Sequence, residues 1–228
     1  MNLITTYYIT DNEERNNEIN KCLLNNCINK YIDKIYLLNN RIFNLNFIND
    51  NKNKIVQYII SPDENYKLKY SDAIKFINDN LNDKICILSN SDIYFNNSIS
   101  KINNKTIYNS FFSLLRYNED LNGNLNIFSQ YDIPRNDSQD CWIFRSPLKI
   151  NLDKINFSLG TLGCDSVFAY EVYKTGINIY NPSLDIICIH LHNTEFRTYN
   201  LDNRIHGKYC FISPTYLFEK PLLTIIDY

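Results

Sequence analysis

Four short apolar runs, Leu3 to Ile9, Ile35 to Leu38, Lys54 to Ile60 and Lys84 to Leu88, are of strand length and too short to be helices of their own. Between the first two, Asp11-Asn12-Glu13-Glu14 puts acids in the first turn of a helix, and Ile19, Leu23, Cys27, Ile28 and Tyr31 recur at helical spacing. Between the last two, Ser71 and Asp72 offer a cap to a helix with Ala73, Ile74, Ile77 and Leu81 on its apolar face. Strands that alternate with helices need a sheet covered on its faces, which makes this an α/β chain. Open α/β sheets bind ligands outside the carboxyl ends of their strands, at the point where strand order reverses. Tyr7-Tyr8 follows the first run and Asn90-Ser91-Asp92 follows the fourth, so both are expected on one ligand-binding edge.

The second half is less regular. Thr106 to Tyr117, Cys141 to Phe144, Ile177 to Tyr180 and Ile186 to His192 read as strands, and Gly160 to Gly163 leads into a helix near Asp165 that Gly176 stops. The Asn-rich stretch Asn39 to Asn53 reads as a polar loop. No repeat, linker or composition break divides the chain, and 228 residues with 44% hydrophobic content suit one domain over residues 1–228.

Composition narrows the partners. A net charge of −2 with Lys dispersed among acids gives no footprint for nucleic acid. No apolar run approaches the ~20 residues of a membrane span, and the N-terminus lacks a secretion signal. The seven cysteines form no C-x-x-C and sit in apolar company, as in Ile187-Cys188-Ile189, which is the usage of a reducing compartment. A cytoplasmic protein is expected. Asn at roughly 16% is far from average usage and points to an AT-rich genome such as a parasite's or a large DNA virus's, in which case the compartment is the host cytoplasm. Oligomeric state is not legible.

Three constellations could carry chemistry. In Asn90-Ser91-Asp92 the residue types are those of a turn, but a carboxylate anchored between a buried strand and Ile93-Tyr94-Phe95 also suits a divalent cation, which needs one or two protein carboxylates. In Cys188-Ile189-His190-Leu191-His192, alternate residues share a face. Three readings stand for it: a structural zinc site with His206 as the remaining histidine, a hydrogen-bonded histidine pair, or a histidine joining Asp92 on a catalytic cation. Asp165 is either an N-cap or a general base kept ionised by the helix dipole. Beside Trp142, Asp140 is either a loop acid next to a core aromatic or a ligand for a sugar hydroxyl with the indole packed on the ring.

In series, the first strand's Tyr-Tyr, "ERNNEI", "ILSNSDIYF", "SQDCWIF", "GCDSVFAYEVYKTG", "NPS" and "HLHNTEFRTY" resemble the GT-A glycosyltransferase-like proteins of large DNA viruses, from about Leu3 to Tyr199. The resemblance implies a single-domain GT-A fold, a Rossmann-like mixed sheet flanked by helices, and a hexosyltransferase that uses a UDP-sugar with Mn2+ or Mg2+. It would transfer a hexose or deoxyhexose to a saccharide or glycoprotein acceptor. By the resemblance, Asn90-Ser91-Asp92 stands for the Asp-x-Asp motif with Asn in place of the first acid, so Asp92 meets the metal and Asn90 the donor's sugar or ribose. His192 or His190 completes the metal shell, and Asp165 resembles the base of inverting members, or a donor- or acceptor-positioning residue if the anomeric carbon is retained. Thr6, Tyr7, Tyr8, Arg15, Tyr70 and Asp72 fall at expected nucleotide contacts, the aromatics to stack on uracil and Arg15 for phosphate. Two alternatives remain: a catalytically silent nucleotide- or glycan-binding relative, and a non-enzymatic metal-binding interaction module built on Cys188, His190 and His192.

Overall fold

The computed structural model describes residues 1–49, 51–194 and 203–228. In chain order its elements are β1 (Asn2–Thr5), α1 (Glu13–Ile28), β2 (Lys34–Asn39), β3 (Ile55–Ile59), α2 (Tyr70–Asn80), β4 (Ile85–Ser89), β5 (Ile93–Phe95), β6 (Ser110–Leu114), β7 (Arg116–Glu119), β8 (Leu125–Ile127), β9 (Ser129–Gln130), β10 (Ile133–Pro134), β11 (Cys141–Arg145), α3 (Cys164–Tyr173), β12 (Asn178–Tyr180), β13 (Cys188–His190), β14 (Lys208–Ile212) and β15 (Leu223–Asp227). A seven-stranded sheet runs β12-β6-β11-β4-β1-β2-β3, parallel from β3 to β4, with β11 antiparallel to both its neighbours. The 3-2-1-4 half is a run of four parallel strands, and open α/β sheets bind ligands beyond the carboxyl ends of such strands. The expected α/β class is thus the observed one.

Side-chain alternation explains the layers. Along β4, Ile87 points to one core with α1's Ile19, Leu23 and Cys27, while Cys86 and Leu88 point to the other with α2's Ala73, Ile74 and Ile77. β11 repeats the pattern, with Cys141 and Ile143 on the α1 side and Trp142 and Phe144 on the side of α2 and α3. α1 begins where Asn12 accepts the Arg15 amide, as the acid-rich start implied. A second sheet, β5-β13-β7-β8, shares the α1-side core through Ile93, Phe95 and Cys188.

Several expected boundaries shift. The first strand ends at Thr5, because Thr6 and Tyr7 turn aside to bond Asn39 Oδ1. The Thr106 to Tyr117 strand is two strands in different sheets, broken at Leu115, whose amide is taken by Asn181 and Ser183. Ser71 and Asp72 lie inside α2 rather than capping it; the preceding Lys69 makes no side-chain cap. The Asn-rich loop is pinned rather than merely polar: Phe43, Leu45 and Ile48 are buried, and Gln57 bonds both backbone groups of Phe43. Among the described residues no helix is long and apolar enough to cross a membrane.

Candidate functional site

Asp92 is placed by the turn that leaves β4. The Ile93 amide closes that turn on the Asn90 carbonyl (3.4 Å), and the Asn90 amide is held by the Asp140 carbonyl (3.2 Å). The chain then re-enters the core as β5, leaving Asp92 8% exposed. β13 pairs antiparallel with β5, His190 opposite Ile93, and Leu191 N–H bonds the Asp92 carbonyl at 3.0 Å. Residues two apart point the same way, so both imidazoles reach Asp92. His190 Nε2 lies 3.3 Å and His192 Nδ1 3.5 Å from Asp92 Oδ2. The turn and the histidine convergence expected from sequence are therefore parts of one structure.

One carboxylate and two imidazoles, with ligand atoms all within 4.8 Å of one another, could hold a metal ion. Ligands at about 2.0–2.2 Å in a tetrahedral shell stand about 3.3–3.6 Å apart, which the two Asp92–histidine separations match. Cys188 is outside the group; its buried thiol bonds the Leu115 carbonyl. His206 is exposed and does not join it either.

Two charged residues of α1 back this group. Arg15, 3% exposed, donates to Asp92 Oδ2 (2.6 Å), Glu18 Oε2 (2.9 Å), the Leu191 carbonyl (3.3 Å) and the Tyr8 hydroxyl (3.3 Å). Arg15 thus lies against the expected metal ligand. Glu18 Oε1 accepts the amides of Asn193 (2.7 Å) and Thr194 (3.0 Å), fastening the chain just after His192. Burial alone would raise the Asp92 pKa, but His190, His192 and Arg15 together hold it well below the usual carboxylate range. Sequence reasoning missed Glu18. Its signal was a charged residue in a buried helical stripe, since Arg15, Glu18, Cys22 and Asn26 recur at three- and four-residue steps.

Bordering the same turn at Asn90, a cleft of about 560 Å³ is lined by Asn90, Arg116, Arg135, Asp140, Asp165 and Arg204, among others. Asn90 Nδ2 donates to Asp140 Oδ1 (3.0 Å), and Arg116 donates to Asp140 Oδ2 (2.8 Å). Trp142 is 1% exposed and packs edge-on against Tyr70 and Phe168, so it is a core aromatic and offers no platform to a sugar. Asp165 lies in the first turn of α3, capped by Gly163, which has a left-handed φ of +82° and whose Cβ position is taken by the Tyr209 hydroxyl. The expectation that the helix dipole keeps Asp165 firmly ionised is corrected. Desolvation outweighs the Gln139 amide bond (2.9 Å) and, with the nearby Asp140 charge, lifts the pKa to about 7.

The remaining expected contacts divide. Thr6 Oγ1 and the Tyr7 amide share Asn39 Oδ1 at the carboxyl ends of β1 and β2. The Tyr7 ring is 5% exposed, edge-on to Phe43 with its hydroxyl on Asn20, and Tyr70 is fully buried among Trp142, Phe157 and Phe168. Neither ring is open to a base, whereas Tyr8 is partly exposed beside Arg15. Asp72 accepts from the Tyr66 hydroxyl (2.7 Å), away from the Asp92 group. Ser91 is partly exposed in the turn. The end of the "HLHNTEFRTY" motif, 195–199, lies outside the described residues. A scan against protein-family models and a search of curated proteins each found no match to the chain.

Proposed function

We propose that the protein is a divalent-cation-assisted glycosyltransferase that takes a UDP-sugar donor and a saccharide or glycoprotein acceptor, on a sheet of the GT-A type. The observation that carries this reading is the pairing of two different sites at one turn. Asp92, His190 and His192 gather where the turn after β4 re-enters the core, and the cleft lined by Asp140 and Asp165 borders the same turn at Asn90, beyond the carboxyl end of β4. The 3-2-1-4 parallel order supports it further.

In this reading Asp92, His190 and His192 hold the cation, which when bound would neutralise charge on the departing nucleoside diphosphate. Two imidazoles beside a single carboxylate suit Mn2+ or Zn2+ better than Mg2+. Tyr8 offers its ring to the base. Asp165 accepts the proton of the acceptor hydroxyl, a task for which a pKa near the working pH is favourable. Asn90 and Asp140, already bonded to each other, bind sugar hydroxyls at the mouth of the cleft. The test is calorimetry with UDP and UDP-hexoses, with and without Mn2+, followed by assays of transfer and hydrolysis. Mn2+-dependent binding and turnover, both lost in Asp92→Asn, are expected; absence of UDP affinity together with no turnover of any donor overturns the proposal.

A second reading has its own observation. Arg15 at 2.6 Å from Asp92 already supplies a positive charge there, as a relative that binds a nucleotide or glycan without transferring it would require. UDP binding that is indifferent to Mn2+ and gives no turnover identifies that protein. The module built on Cys188, His190 and His192 loses its thiol, which faces Leu115.

A further inference from the structure

His190 has a partner on each ring nitrogen, and which nitrogen carries the proton decides what the ring can do. Nδ1 is 3.2 Å from Asn118 Oδ1, and Nε2 is 3.3 Å from Asp92 Oδ2. An amide can be turned over, so Asn118 alone does not fix the choice. Arg116 does. Its Nε lies 3.1 Å from the same Asn118 atom, and a guanidinium can only donate, so that atom must be the oxygen. An oxygen there can only accept from His190, which places the proton on Nδ1.

The supports of this arrangement are themselves held. β7 and β13 run parallel with Arg116 opposite Cys188 and Asn118 opposite His190, which brings residues 72 apart in sequence into contact. Arg116 is clamped by Asp140 at 2.8 Å and lies over the Phe128 ring, 3.9 Å from its centroid. With Nδ1 so occupied, Nε2 is the nitrogen that faces the carboxylate, as a second N–H donor when the ring is charged or as a lone pair that a cation could bridge.

We infer that Asn118, oriented by Arg116, is a positioning residue that holds His190 with its proton on Nδ1 and so presents Nε2 to Asp92 and to any cation bound there. The consequence for metal affinity rests on the cation reading above; the nitrogen assignment does not. Outer partners of a ligating histidine are worth about 10–100-fold in metal affinity. Because Arg116 also binds Asp140, the same two residues tie the cleft to the cation group.

Two-bond 15N correlation spectra of the metal-free full chain test the inference directly, followed by titration with Zn2+ as a diamagnetic probe. The expected result is a protonated Nδ1 on His190, with Nε2 the nitrogen that shifts when Zn2+ binds. Asn118→Leu should release the Nδ1 proton preference and weaken Zn2+ about 10–100-fold, while Asn118→Asp, which keeps the accepting oxygen, should restore both. An unprotonated or zinc-bound Nδ1 in the unmodified chain overturns the inference without any variant, and so does an Asn118→Leu protein with unchanged Nδ1 protonation. A chain that shows the expected nitrogen pattern, lost in Asn118→Leu, but binds no Zn2+ or Mn2+ upholds the inference and removes the cation reading instead.

Discussion

Replacing Asp92 by Ala tests how the buried cluster is held together. Arg15 has a side chain only 4% exposed, and its shortest bond, 2.6 Å, is to Asp92. Removing one partner of a buried ion pair costs about 3–5 kcal/mol when the remaining charge is left uncompensated. Here Glu18 at 2.9 Å stays as a counter-charge, so the expected loss is smaller, about 2–3 kcal/mol, a large share of a total of about 5–15 kcal/mol. Asp92→Ala is therefore not a silent probe of metal binding, contrary to what its place in a turn implies, and Asp92→Asn is the better one. Urea unfolding in chelator measures the loss, and a cycle with Arg15→Met should show a coupling of about 1.5–3 kcal/mol, the range of a hydrogen bond to a charged group. An Asp92→Ala cost below about 0.5 kcal/mol, or singles that add within about 0.5 kcal/mol, refutes the reasoning.

Three other outcomes are expected. Asp165 has a folded-state pKa of about 7 against an ordinary value of 3.8, so its share of stability is complete below 3.8 and is lost as pH rises through about 7. Asp165→Asn should flatten that decline and stabilise the chain at pH 8 by about 1–3 kcal/mol, less than the full shift implies because the side chain keeps some solvent contact; a more stable unmodified chain at pH 8 contradicts this. Asn90→Asp would set a second carboxylate where Nδ2 now donates to Asp140 at 3.0 Å and should cost about 1–3 kcal/mol at neutral pH and less in acid; thermal melts across pH read it. Gly163→Ala combines a left-handed backbone with displacement of the buried Tyr209 and should cost about 3 kcal/mol in denaturant, with a wild-type midpoint as the contrary result.

How much could be read in advance depends on how local the cause is. Strands β1 to β4 and helices α1 to α3 follow from apolar runs and periodicity, which are properties of neighbouring residues. The meeting of Asp92 with His190 and His192 was legible only as a demand that two distant segments converge; the β5 and β13 pairing that satisfies it leaves no mark in either segment alone. The break at Leu115 is invisible for a similar reason, because its amide goes to Asn181 and Ser183, far along the chain. Tyr7 and Tyr70 looked available because aromatic residues beside a site suit stacking, yet the Phe43 loop and the α3 core enclose their rings. The protonation of Asp165 depends on what buries it, including the cleft wall that carries Tyr209, and no helix-start rule contains that information.

The bond between Asn90 and Asp140 has a consequence for how such chains are found. Two acids one residue apart, the Asp-x-Asp pattern against which the proposed function sets Asn90-Ser91-Asp92, are a linear signal, detectable in any single sequence. Here the turn after β4 carries one acid, Asp92, and the carboxylate bonded to Asn90 comes from Asp140, 50 residues later and just ahead of β11, which pairs antiparallel with β4. An amide at position 90 is what makes that arrangement tolerable, since it donates where an acid would repel. A pattern scan along the chain therefore counts a loss of charge, while the space around the turn still holds two carboxylates.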